Sequence, residues 1–212
     1  MKPKPECASC LLKWLAERIA TLATGHECFE MIRSVSKLLH DEFHEAANLG
    51  LLANESIHIA GRLMDNAAGY FEKIKRGNNQ LAHRTLPLAR DFIEKGKTPK
   101  EAFERACSLA AAANVSPIGV PSQPSRFEEL ESMLKGGGPI PAIFGDVYTA
   151  AGRASHVLYI TDNSGEIGFD VLVVEKLKAM GTEIALVVKD GAFFEDAAEE
   201  DVLFFGHTVL SG

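Results

Sequence analysis

Asp162-Asn163-Ser164-Gly165-Glu166 sits at a seam between two apolar runs. His156-Val-Leu-Tyr-Ile160 precedes it, and a second apolar run begins at Ile167. A turn at such a seam needs a glycine and one Asp or Asn. A second carboxylate and a carboxamide exceed that need, and together they can do chemistry. Asp162 and Asn163 offer oxygen donors at one strand end, and Asp196 offers another at the next. Oxygen donors without thiolates suit hard or borderline divalent cations such as Mg²⁺ or Mn²⁺. Gly165 lets the backbone approach a ligand, and the helix starting near Gly168 aims its first amides at the same spot, a place that stabilises an anion. A divalent cation beside such a helix end implies phosphoryl chemistry. The cation would polarise the P–O bond, shield phosphate charge and orient a water. In that scheme Asp162 or Glu166 is the general base, or Asp162 a nucleophile. Asn163, Ser164 and Gly165 face the phosphate, and Lys189 is the nearest cation for a phosphate oxygen. The same residues also read as an Asx-type turn with helix-capping acids, with Asp196 as an N-cap. The seam is neither the GxGxxG dinucleotide fingerprint nor a Walker loop.

The elements around the seam form a strand–helix–strand unit. His156–Thr161 reads as a buried strand. Gly168–Met180 reads as a helix with Val171, Val174 and Leu177 on one face, ended by Gly181. Glu183–Val188 is a second buried strand, and 196–205 reads as a short helix. Such a βαβ unit makes a parallel pair with a right-handed crossover, and ligands then sit beyond the carboxyl ends of the strands. Upstream, residues 6–113 carry apolar residues at helical spacing throughout. Separate helices are expected around Cys10–Leu22, Met31–Leu39, Ile57–Met64 into Ile74, and Leu81–Ile93. A further helix starts clearly, with Thr98 as N-cap, Pro99 at the first position and Glu101 after it. Ser116–Pro124 is proline-rich, a short helix follows over 126–134, and Gly136-Gly-Gly-Pro139 marks a loop. The fold class expected is α/β: a helical region over 1–113, a linker with a short helix over 114–139, and a Rossmann-like region over 140–212 whose parallel sheet is incomplete. The site is expected between the helical and α/β regions.

The chain's 212 residues are 46% hydrophobic, enough for a sizeable core. Its formal net charge of -7 argues against a nucleic-acid surface, which needs a basic stripe. No apolar run approaches the ~20 residues of a membrane span, and Met1-Lys-Pro-Lys-Pro5 is not followed by a secretory h-region. A cytoplasmic protein with reduced thiols is the expectation, since four cysteines in a chain this long do not make a disulfide scaffold.

Asp162-Asn163-Ser164-Gly165-Glu166, followed by Phe169-Asp170 and a helix, resembles the "DN-small-GE…D" signature of the damage-control phosphatases, also known as domain of unknown function 89. Lys189 and Glu195-Asp196 resemble the family's next block. Cys7-Ala-Ser-Cys10 resembles the CxxC opening of its prokaryotic branch, and Tyr70, Lys73, Asn78 and Asn114 sit where that branch carries Tyr/Phe, Lys and Asn landmarks. The resemblance implies hydrolysis of phosphate monoesters of small metabolites, typically sugar phosphates, with Mn²⁺, Ni²⁺, Co²⁺ or Mg²⁺. By position, the metal ligands fall on Asp162, Asn163 and Asp196, and Asn114 and Lys73 join the phosphate-binding set. Glu195 stands where the family has Asn, and Pro117 where it has an acid. Family members continue into a "KGxGN(Y/F)E"-like segment that supplies a lysine to the substrate. No such segment occurs through Gly212, so a fragment or a shortened paralogue is expected. The alternative function is accordingly a paralogue that binds metal or phosphorylated ligand without turnover.

Two weaker signals remain. Cys7 and Cys10 are half of a zinc site, with His26, Cys28 and Cys107 as candidate contributors, and so could support a second or structural metal or a small zinc-stabilised interaction module. Buried or capping cysteines are the simpler reading. His40-Asp-Glu-Phe-His44 places two imidazoles at helical spacing but lacks the glutamate of the zinc-protease motif, so it reads as a solvated helix face.

Overall fold

The structure is a computed structural model that describes residues 2–19, 23–64, 67–114, 126–137, 146–190 and 195–207. The proline-rich stretch, Pro117, the Gly138-Pro139 end of the glycine loop and the Tyr70 side chain lie outside the described residues. The chain divides into two compact units at Tyr70–Phe71.

The first unit contains α1 (Pro5–Ile19), α2 (Gly25–Glu42) and α3 (Leu49–Leu63). α2 begins with a reciprocal capping box: Thr24 Oγ1 accepts from the Glu27 amide, and the Thr24 amide donates to Glu27 at 2.6 Å. Leu15, Ile19, Met31, Val35, Leu39, Leu52 and Ala60 are buried at helical spacing. α2 stops at Glu42, so His40 and His44 do not share a helical face. Instead His44 Nδ1 accepts the Ala46 amide at 3.2 Å in the following turn.

α4 (Ala67–Glu94) is one helix where two were expected. It runs through Gly77 and through Pro87, whose missing N–H removes only one intrahelical bond. Its core line is Phe71, Lys75, Asn79, Ala82, Ala89 and Ile93. α5 (Pro99–Ala113) starts as predicted: Thr98 Oγ1 accepts from the Glu101 amide at 3.1 Å, while Glu101 reaches back to the Lys97 amide. α6 (Arg126–Ser132) continues as an irregular turn to Gly137, and α7 (Val147–Arg153) is capped by Asp146.

β1 (His156–Ile160), α8 (Ile167–Ala179) and β2 (Glu183–Val187) form the expected βαβ unit, with β1 and β2 parallel and Ile160 level with Val187. α9 (Glu199–Phe204) follows. The described residues are mostly helical around a two-stranded sheet. A larger Rossmann-like sheet is therefore not seen among the described residues.

Two sequence expectations change here. The strands are not buried on both faces. Val157, Tyr159 and Ile184 pack on the core, but Leu158 and Ile160 on the other face are 64% and 71% exposed. Continuous apolar runs usually mean two covered faces, yet no described helix covers the outer side. α8 departs the opposite way. Every residue from Ile167 to Val174 is buried, not one stripe alone. Phe169, Leu172 and Val173 pack with Phe103 and Leu109 of α5, while Ile167 packs with Ala197 and Val202 around α9. Gly168 is needed there because a Cβ would lie 2.6 Å from the Phe205 ring.

Phe103 is 2% exposed and faces the Tyr148 ring at 5.7 Å. Phe103→Ala is expected to lower the unfolding free energy by about 3–5 kcal/mol in urea denaturation. Leu158→Ala, on the bare sheet face, is expected to change it by less than about 0.5 kcal/mol.

Candidate active site

Both strand ends feed the same place. After β1, Thr161 continues the ladder, its amide donating to Val187 O at 3.1 Å. The chain then pairs the other way, with Asn163 and Asp196 forming an antiparallel bridge. The Ser164 amide donates to Glu195 O and the Ala197 amide to Asp162 O, both at 2.7 Å. The expected ligands Asp162, Asn163 and Asp196 are thus brought onto two clamped segments. Lys189 joins them: its amide donates to Ala197 O, and its Nζ lies 3.3 Å from Asp196 Oδ2.

Glu166 is the buried centre of the first segment. Asn114 Nδ2, at the C-terminal end of α5, donates to both its oxygens at 2.7 and 2.8 Å and reaches Asp162 Oδ2 at 3.1 Å. The Asn163 amide and Nδ2 donate to Glu166 Oε2 at 3.2 and 3.1 Å. With Nδ2 turned inward, the Asn163 carboxamide has its oxygen left to act as a donor to a cation. Burial pushes the Glu166 carboxyl above its ordinary range. The hydrogen bonds from Asn114 and Asn163 pull it back, and the Asp162 charge adds to the rise.

Gly165 has a φ of +75°, the left-handed region that favours glycine. Its amide donates to Asn79 Oδ1 at 2.7 Å. The amides of Glu166, Ile167 and Gly168 are likewise taken, by the carbonyls of Ser164, Asn163 and Gly165. The first turn of α8 therefore spends its amides on the loop that enters it. Ser164 is enclosed at 1% exposure, and its Oγ has no hydrogen-bond partner among the described residues. Lys73 is exposed on α4.

The residues missed by the sequence reading are Lys75 and Asn79. They lie on the buried line of α4, Lys75 two residues past Lys73 and Asn79 one past Asn78. A lysine and an asparagine in register with Phe71 and Ala82 were the available signal, since polar groups on an apolar stripe must be paired.

A cavity of about 590 Å³ borders the site, with Asn114, Asp162, Glu166 and Asp170 at its polar end and Ala110, Ala151 and Val173 among its apolar walls. Tyr159 donates to Asp170 Oδ1 at 2.7 Å, and Oδ2 is buried without a hydrogen-bond partner among the described residues. Cys107 also lines the cavity, but burial pushes its thiol up to about 11, so it is no thiolate nucleophile near neutrality.

The family profile described as "Damage-control phosphatase ARMT1-like domain" matches residues 4–208. The chain belongs to the ARMT1-like damage-control phosphatase family. It is 28% identical over 206 residues to damage-control phosphatase PH1575 of Pyrococcus horikoshii, covering 95% of this chain and 69% of that protein. It is 28% identical over 204 residues to a damage-control phosphatase of Archaeoglobus fulgidus, with the same coverages. The uncharacterized protein MJ0202 of Methanocaldococcus jannaschii is 26% identical over 206 residues. The crystal structure of PH1575, described as a DUF89 family protein, superposes with a TM-score of 0.76 at 26% identity, covering 97% of this chain and 70% of that one. The chain thus spans about two thirds of the length of the relatives it matches, 66% in the case of MJ0202.

The donor chemistry fits a divalent cation in this family member. Two carboxylates and a carboxamide oxygen are hard ligands. Asp196 is pushed above the ordinary range first by burial and also by the Asp162 charge, while Lys189 pulls it back. A cation would relieve that crowding of negative charge. Among the described residues no three His, Cys, Asp or Glu side chains converge on one point, so the set depends on Asn163. The same observation bears on Cys7 and Cys10. They are free thiols in α1, with no third His, Cys, Asp or Glu joining them among the described residues. No helix is long and apolar enough to cross a membrane among the described residues.

Asp170 gives a pH prediction. Burial, reinforced by Glu166 and Asp162, lifts its carboxyl from 3.8 to about 7. The folded state then holds a proton that the unfolded chain has lost. This contribution is full below about 4 and disappears as pH rises through about 7, weakening folding by on the order of 1.4 kcal/mol per pH unit in that window. Unfolding titrations of wild type and Asp170→Asn in chelator should show a smaller decline between pH 4 and 7 in the variant. Parallel profiles would contradict the assignment.

Proposed function

We propose that this chain is a divalent-metal-dependent phosphatase acting on small phosphorylated metabolites, sugar phosphates among them. The observation that carries the reading is the Asn163–Asp196 bridge, which brings the ends of both strands together with Asp162 adjacent. Asp162, Asn163 and Asp196 would hold the cation, which can be Mn²⁺, Ni²⁺, Co²⁺ or Mg²⁺. When bound, it supplies charge shielding of the phosphate and polarisation of the P–O bond.

The remaining tasks fall to named side chains. Glu166 has both oxygens occupied by Asn114 and Asn163, so it orients those carboxamides. Asp162 is exposed beside it and would take a proton from the attacking water as the P–O bond to the ester oxygen breaks, or would itself bond to phosphorus as that ester oxygen leaves, with water then hydrolysing the acyl phosphate. Lys189 can turn from Asp196 to a phosphate oxygen, a short movement for a half-exposed ammonium. With the α8 amides already spent, the phosphate depends on the cation and Lys189. The cavity beside Asp162 would receive the ester's organic part.

Release of phosphate from p-nitrophenyl phosphate and fructose 1-phosphate, with and without Mn²⁺, tests this. Turnover should require the metal and fall at least about 100-fold in Asp162→Ala. Equal turnover in the two proteins sinks the reading. Mn²⁺ binding without turnover by wild type would instead favour a ligand-binding paralogue.

A further inference from the structure

Behind the site, a chain of buried polar side chains runs between the two segments that carry the proposed ligands. Asn79 Oδ1 accepts the Gly165 amide at 2.7 Å, and Asn79 Nδ2 donates to Asp201 Oδ1 at 2.7 Å. Asp201 Oδ2 accepts the Ala198 amide at 2.9 Å and meets Lys75 Nζ at 2.7 Å. Lys75 also pairs with Glu200 at 2.9 Å. Lys75, Asn79 and Asp201 are 4%, 4% and 1% exposed. Gly165 lies two residues after Asn163, and Ala198 two residues after Asp196.

We propose that Asn79 and Asp201 form a strut that sets the spacing between the Asp162–Asn163 and Asp196 halves of the cation site, with Lys75 holding Asp201 in place. All three are positioning residues. The strut's effect on cation affinity rests on the proposed function; the strut itself rests only on these contacts.

The geometry fixes which atoms matter. Asn79 uses its carboxamide in one orientation: oxygen toward Gly165, nitrogen toward Asp201. Reversing it would set an N–H₂ against an N–H at one end and oxygen against carboxylate at the other. Asp201 must accept on both oxygens, because all its facing groups are donors. The pair is thus directional, and it can be exchanged as a unit. An aspartate at 79 accepts from Gly165 and from a carboxamide at 201, whose oxygen still accepts from Ala198 and Lys75. Either exchange alone leaves a mismatch, oxygen against oxygen for Asn79→Asp, or one of the two amides without an acceptor for Asp201→Asn.

The test compares wild type, Asn79→Asp, Asp201→Asn, the double exchange and Ile93→Val, a core control on the same helix. Mn²⁺ affinity is read by electron paramagnetic resonance, and exchange of the Gly165 and Ala198 amides by NMR. Each single exchange should weaken Mn²⁺ binding about tenfold or more. Asp201→Asn should speed exchange of one of the two amides. The double exchange should restore both readouts to within about threefold, and Ile93→Val should move neither. Wild-type affinity in the single exchanges, or a folded double exchange with no recovery, overturns the proposal. If a single exchange does not fold, recovery of folding and Mn²⁺ affinity by the double supports the strut, and failure to recover overturns it. If wild type binds no Mn²⁺, the cation reading of the site falls. The strut then stands if Asp201→Asn speeds amide exchange and the double restores it, and falls otherwise.

Discussion

Parallel pairing of two five-residue strands is the constraint from which the site follows. A parallel pair must be joined by a crossover, and the one through α8 carries the chain back to the edge where β1 began, so that β2 ends at the same edge as β1. Ile160 and Val187 are level, so whatever follows each strand emerges side by side. The bridge between Asn163 and Asp196 then converts two loose loop starts into a paired, antiparallel segment. Residues far apart in sequence become neighbours without any long side chain having to span the gap. Every proposed ligand sits on backbone that is itself hydrogen bonded, the kind of support a precise site needs.

The electrostatics of that place are lopsided. Asp162, Glu166, Asp170 and Asp196 gather around one end of the sheet, and the cations that act on Asp196 are Lys189, paired with it, and Lys75, already on Asp201 and Glu200. Their neighbours are carboxamides and amides, which satisfy hydrogen bonds but do not neutralise charge. Glu166, Asp170 and Asp196 all respond by holding protons more tightly than usual. A folded protein tolerates such an arrangement more readily when something supplies positive charge, and the proposed divalent cation would supply it. The apolar wall of the adjoining cavity sharpens the effect, since it denies the carboxylates water on that side.

How much of this was legible in the sequence depends on the range of the signal. The βαβ unit was readable because its apolar runs and Gly181 are local, and the Thr98-Pro99 start of α5 because a cap is written in three residues. The meeting of the segments that carry Asn163 and Asp196 was readable because parallel topology dictates which strand ends meet. Burial of the outer strand face was misjudged: Leu158 and Ile160 are as apolar as core residues, and only tertiary structure says what covers them. α4 was read as two helices, one ending near Ile74 and one starting at Leu81, because apolar spacing lapses over the polar residues between them; twenty-eight residues of helix with a packed face span that gap, Gly77 and Pro87 included. Lys75 and Asn79 went unassigned because their partners lie far off in the sequence: the Asn79–Gly165 bond spans 86 residues, the Asn79–Asp201 bond 122 and the Lys75–Glu200 bond 125.

The same two residues show why α4 must be unbroken. Burying an ammonium and a carboxylate costs several kcal/mol per ion in general, and the pair seldom returns more than it loses. For Lys75 that cost is visible: burial alone would depress its pKa, and only the bonds to Asp201 and Glu200 hold it above the ordinary value. A hydrophobic pair of similar volume would satisfy stability at least as well, but it could not aim. Hydrogen bonds have directions and apolar contacts do not. A rigid helix that presents Lys75 and Asn79 one turn apart therefore gives the loops after β1 and β2 a common reference. Breaking the helix at Gly77 would uncouple Lys75 from Asn79, and Asp201, through which Asn79 reaches the loop after β2, would then be held from two directions no longer fixed to each other.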